Sequence, residues 1–113
     1  MKLKNRIAII TGGGKGIGAE LSLKLASEGA KIVIAEMDVP NGELVAKKIK
    51  ENNGEAIVVK TNVAEEDSAN DMAKEAINVF GKIDILINNA GTRHINNILD
   101  HTKQQWDEML SVN

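Results

Sequence analysis

The chain has 113 residues with 14 basic and 16 acidic side chains, so its net charge of −2 gives no reason to expect nucleic acid as a partner. It contains no cysteine, which excludes disulfides, thiolate metal ligands and thiol nucleophiles, and it contains no tyrosine. One domain with a real core fits this length, although it is small for a complete α/β enzyme. Residues Met1 to Arg6 lack the apolar run of a signal peptide and no segment is long enough to cross a bilayer, so a cytoplasmic location without membrane contact is expected.

Arg6-Ile7-Ala8-Ile9-Ile10 becomes fully apolar and reads as a buried strand. It breaks into Thr11-Gly12-Gly13-Gly14-Lys15-Gly16-Ile17-Gly18 and re-emerges as a helix from about Gly16 to Glu28. On that helix Ile17, Leu21 and Leu25 recur every four residues as the apolar face, and Gly29 suits a left-handed C-cap. Glycines let the backbone turn sharply and leave no Cβ between main chain and ligand, so N–H groups at the helix start can face an anion. The pyrophosphate of a dinucleotide is the natural anion. A P-loop suits less well, since Gly16 stands where Ser or Thr should follow Lys15. A methyl-donor site and a plain turn remain open at this point.

Lys31-Ile32-Val33-Ile34-Ala35 is a second buried strand, ending in Glu36-Met37-Asp38. Pro40 and Asn41 open a helix whose stripe is Leu44, Val45 and Ile49, closed by Asn52-Asn53-Gly54. A third strand, Ala56-Ile57-Val58-Val59, leads into Lys60-Thr61-Asn62-Val63. The third helix has the clearest period: Ala69, Met72, Ala73, Ala76, Ile77 and Phe80 share one face, and Gly81 ends it. Ile83-Asp84-Ile85-Leu86-Ile87 is a fourth strand running into Asn88-Asn89-Ala90-Gly91, with Asp84 an acid of the strand start. A polar loop from Thr92 to Asp100 precedes a last helix, where Thr102 and Gln105 have capping-box spacing.

This alternation, βαβαβαβα, predicts a Rossmann-like doubly wound parallel sheet of order 3-2-1-4, in one domain over residues 1–113. The first and fourth strands then lie side by side, and a ligand belongs at the carboxyl ends of the strands at that switch point, where the Gly-rich turn and the Asn88–Gly91 turn both fall. Glu36 ends the second strand 18 residues after Gly18. A carboxylate there can accept both hydroxyls of an adenosine ribose and would repel a 2′-phosphate. Trp106, Met109, Leu110 and Asn113 follow helical spacing, which puts an amide on the inward face of the last helix. His94 and His101 have no convergent third ligand, so no metal site is expected.

Thr11-Gly12-x-x-x-Gly16-x-Gly18, the acidic end of the second strand, Asn88-Asn89-Ala90-Gly91 and a helix ending in Asn113 together resemble the short-chain dehydrogenase/reductase family of classical type, across the whole chain and in order. The resemblance implies that the backbone from Gly12 to Ile17, with Gly14, Lys15 and Gly16, cradles a nicotinamide dinucleotide, while Gly18 lets helix and strand pack closely. It implies that Asn62 and Val63 lie beside the adenine, with Asn62 replacing the family's Asp as acceptor. Asn89, Ala90 and Gly91 would line the adenosine ribose, and an Asn of that turn would bond Thr11. Asn113 would belong to a proton relay that holds a catalytic lysine.

Lys15 matches a basic position of NADP-using members, whereas Glu36 argues for NAD, which is the expected cofactor. The family acts through Ser, Tyr and Lys beyond that Asn, and this chain has no Tyr. It therefore reads as the cofactor-binding half of an alcohol/ketone oxidoreductase cut at its C-terminal side, holding a cofactor without turnover. The alternative is a non-catalytic nucleotide-binding or assembly module. Family members imply a homo-oligomer and a small-molecule substrate.

Overall fold

The computed structural model describes residues 2–62 and 64–89. Seven elements alternate along them: β1 (Ile7–Thr11), α1 (Gly16–Ser27), β2 (Lys31–Glu36), α2 (Val39–Glu51), β3 (Ala56–Lys60), α3 (Glu66–Phe80) and β4 (Ile85–Asn88). The strands form one parallel sheet of order β3-β2-β1-β4, as the sequence predicts. Val63, Ala90, Gly91, Asn113, both histidines and the last helix fall outside the described residues.

Strand alternation sorts the core into two layers. Ile32 and Ile34 of β2 face one way, with Val45, Ala46 and Ile49 of α2 and the partly buried Ala19, Leu23 and Ala26 of α1. Val33 and Ala35 face the other way, against Met72, Ala73 and Ala76 of α3. Both faces are covered, so β1 and β2 are almost wholly apolar, as a parallel sheet requires.

Three local expectations need correction. The face of α1 only partly follows the Ile17, Leu21, Leu25 row: Leu25 packs against the core, but Ile17 is 69% exposed, and the fully buried positions are Gly18 and Ser22. A Cβ on Gly18 would overlap the Gly12 carbonyl oxygen, so the helix approaches β1 where only a hydrogen side chain fits. The Ser22 hydroxyl donates to Gly18 O at 2.8 Å and lies 3.2 Å from Gly13 O, which satisfies it inside the core. In α2 the inward row is Gly42, Val45, Ala46 and Ile49, at strict i, i+3, i+4, i+7 spacing. Leu44 lies off that row and is 60% exposed.

The fourth strand starts at Ile85 instead of Ile83, because Asp84 is engaged otherwise. Its carboxylate accepts the Ile7 N–H at 2.8 Å and its own N–H donates to Ile7 O at 2.9 Å. The ladder with β1 runs from Ala8 opposite Ile85 onward. The α1 helix stops at Ser27, with Glu28 as C-cap and Gly29 at φ 98°; α3 stops on Gly81 in the left-handed region, as expected.

Candidate functional site

At the carboxyl end of the sheet the chain leaves β1 at Thr11 and enters α1 at Gly16. Gly12 donates its N–H to Ala35 O at 2.8 Å, which folds the turn across β2. The helix begins with Ala19 N–H bonding Lys15 O, and no side chain caps it. No acid occupies its first turn either. The N–H groups of that turn thus point out of the helix end without an intrahelical acceptor, where the positive end of the helix dipole lies. Gly16 has φ 49°, and a Cβ there would meet nothing within 4 Å. The turn is therefore closed beneath, where Gly18 meets Gly12, and open above. That is the shape a phosphate cradle needs, and it fits a dinucleotide pyrophosphate.

Glu36 closes one side of this turn. It is only 8% exposed. Its Oε1 accepts from Gly14 N at 3.1 Å and its Oε2 from Asp38 N at 3.3 Å. The acid at the end of β2 and the glycine-rich turn, 22 residues apart in sequence, thus meet directly. Gly14 also lies against the first turn of α2, where a Cβ would fall 2.8 Å from Gly42 N.

Asp38 is the residue that the sequence reading missed. It is the N-cap of α2, accepting from Asn41 N at 3.2 Å and from Asn41 Nδ2 at 2.8 Å, and its Oδ2 lies 3.1 Å from Lys15 Nζ. The Asn41 backbone N–H first, and then the Lys15 ammonium, hold its carboxyl below the usual aspartate range. An Asp two residues before a Pro near a helix start is the signal that could have found it. Lys15 is consequently paired with Asp38 while most of its side chain stays exposed.

On the other flank, β4 delivers the Asn turn to Thr11. Asn89 N donates to the Thr11 hydroxyl at 2.9 Å, and the hydroxyl has Ile87 O and Asn88 Oδ1 at 3.4 Å each. Asn89 Nδ2 lies 3.4 Å from Gly12 O. The bond expected between this turn and Thr11 is present, and it ties the switch point together. Asn62 sits after β3, its Oδ1 accepting from Ala64 N at 3.1 Å and its Nδ2 donating to Glu65 at 3.3 Å. Ile17, in the first turn of α1, and Met37, just after β2, are exposed large apolar side chains. Among the described residues no group of three or more His, Cys, Asp or Glu converges to hold a metal. No described helix is long and apolar enough to cross a membrane.

A parallel 3-2-1-4 sheet with a glycine-rich turn at its switch point defines a Rossmann-like α/β fold. The chain belongs to the short-chain dehydrogenase family, which it matches over residues 6–113. It is 34% identical to an uncharacterized oxidoreductase of Thermotoga maritima over 98% of this chain and 43% of that protein. It is likewise 34% identical to a 3-oxoacyl-(acyl-carrier-protein) reductase of Staphylococcus epidermidis over 96% of this chain and 45% of that one. Among solved structures it resembles a hydroxysteroid dehydrogenase from Escherichia coli, with TM-score 0.78 and 35% identity over 80% of this chain and 39% of that chain. It also resembles a 7α-hydroxysteroid dehydrogenase complexed with NADH and 7-oxo glycochenodeoxycholic acid, with TM-score 0.74 and 33% identity over 75% of this chain and 33% of that chain. The chain spans less than half the length of these curated relatives.

Proposed function

We propose that this chain is the cofactor-binding half of an oxidoreductase that moves a hydride between a nicotinamide dinucleotide and an alcohol or ketone, and that the dinucleotide is NAD more than NADP. The observation that carries the reading is the contact between Glu36 and Gly14: a buried carboxylate beside the open, uncapped start of α1. In this reading Gly14 N–H stays on Glu36, the N–H groups of Gly16 and Ile17 hold the pyrophosphate, and Gly18 keeps the helix close enough to do so. Glu36 accepts the ribose hydroxyls, Asn62 and Val63 border the adenine, and Asn89, Ala90 and Gly91 border the adenosine ribose. The bound nicotinamide supplies or takes the hydride. Asn113 takes the positioning role in a proton relay. No tyrosine is present to pass the hydroxyl proton, so turnover by these 113 residues unaided is not expected. A homo-oligomer in the cytoplasm completes the proposal.

The test is a titration with NADH and NADPH, read by nicotinamide fluorescence. The wild type is expected to bind NADH more tightly, and Glu36→Ala to shift the NADH/NADPH affinity ratio roughly tenfold toward NADPH, since a charge in a partly dry pocket is removed. No binding of either at millimolar concentration, or an unmoved ratio in the variant, would refute the reading.

A further inference from the structure

Lys15 and Asp38 stand beside Glu36 in a closed circuit. Gly14 N–H bonds Glu36 Oε1, Glu36 Oε2 receives the Asp38 N–H, and Asp38 Oδ2 meets the ammonium of Lys15, which follows Gly14 in sequence. Building on the nucleotide reading above, we propose that Asp38 is a specificity-determining positioning residue. By holding the Lys15 ammonium at the start of α2, it withholds the cation that a 2′-phosphate would need, and so adds to the preference for NAD.

The geometry gives Asp38 little freedom to release that cation. Its oxygens are fixed by two bonds from Asn41 and its main chain by the bond to Glu36, so it is not an acid swinging on the surface. Lys15 would otherwise be the cation attached to the turn itself, one residue from the N–H that meets Glu36. The pair is half exposed, its side chains retaining 61% and 36% of their accessible area, so the effect is one of a few-fold and screened by salt. Among the described residues Lys60 is another cation at this end of the sheet, opposite Glu36 in the β2–β3 register, which makes it the natural control.

The experiment measures NADH and NADPH affinity of the 113-residue chain and its variants by fluorescence at low and high salt. Asp38→Asn keeps a side chain able to cap α2. It is expected to raise NADPH affinity roughly 3- to 10-fold with little change for NADH, the gain shrinking as salt rises. Adding Lys15→Met should abolish the gain, while adding Lys60→Met should leave it. Equal changes for both cofactors would assign Asp38 to capping alone, and dependence on Lys60 would assign the cation elsewhere; either overturns the inference. Should Asp38→Asn not fold, Lys15→Met alone decides. The ratio should stay within roughly twofold, because an exposed pair contributes little on its own, and a several-fold selective loss of NADPH binding would show Lys15 already free. A wild type that binds neither cofactor refutes the nucleotide reading and this inference with it. Binding with a ratio that Asp38→Asn does not move refutes the inference only.

Discussion

The two ends of the sheet differ in what they leave open. At the amino end polar groups are answered from within the chain: Asp84 takes the Ile7 N–H and lies 3.2 Å from Lys82 Nζ and 3.5 Å from Arg6, while Leu3 N–H bonds Glu28 O at 2.7 Å. At the carboxyl end α1 starts without a cap, and no atom of the described residues lies within 4 Å of where a Cβ on Gly16 would stand. An end whose groups satisfy each other is scaffold. An end whose donors point outward is arranged for something else.

Substitutions at the two ends should therefore fail differently. The largest effect is expected at Gly18. Alanine normally favours a helix over glycine by about 1 kcal/mol. Here its methyl meets the Gly12 carbonyl, so Gly18→Ala should destabilise by about 3 kcal/mol or more in denaturant unfolding and abolish NADH binding. A stabilised variant would contradict the close approach of α1 to β1.

Asp84→Ala should cost about 1.5–3 kcal/mol by the same measurement, the range for a hydrogen bond to a charged acceptor, while leaving cofactor affinity unchanged. Asp84 also carries the acid limb. Burial pushes its pKa up, but the Ile7 N–H, Lys82 and Arg6 outweigh that and hold it below the ordinary 3.8. A depressed folded-state pKa means stability present above the unfolded value and lost as pH falls through the folded one. The stability gap between wild type and Asp84→Asn should thus be full above pH about 3.8 and close as pH falls from there through the lower folded-state value, as followed by circular dichroism.

Gly16→Ala meets open space and bears only the backbone cost of φ 49°, about 1–2 kcal/mol. Its loss of NADH binding should exceed what that cost implies, since the methyl would stand where the ligand approaches. The smallest effect belongs to Leu44→Ala, within about 0.5 kcal/mol, because the side chain is largely in solvent.

Leu44 also marks what a sequence reading can hold. The strand order and the α3 face were legible, since four apolar runs alternate with helices and Ala69, Met72, Ala73 and Ala76 repeat without ambiguity. Ile17 and Leu44 misled because an apolar period counts large side chains. The true inward rows pass through Gly18, Ser22 and Gly42, whose smallness is what brings helix to sheet. Asp38 was hidden for a related reason: its value lies in partners at Lys15 and Asn41, which no period encodes. Glu36 and the Asn88–Asn89 turn were readable because strand ends converge at a switch point whatever their side chains.

Glu36 has one more consequence, which concerns counting rather than charge. An ionised carboxylate offers about four acceptor directions, two per oxygen. Among the described residues Gly14 takes one on Oε1 and Asp38 takes one on Oε2, which leaves one further direction on each. Two adjacent hydroxyls, each with one proton to give, match that remainder one to one. A ribose phosphorylated at one of them brings a single proton and leaves one direction unfilled on a carboxylate that is itself buried. Under the proposed NAD reading, this count favours the plain diol through hydrogen bonds as well as through charge.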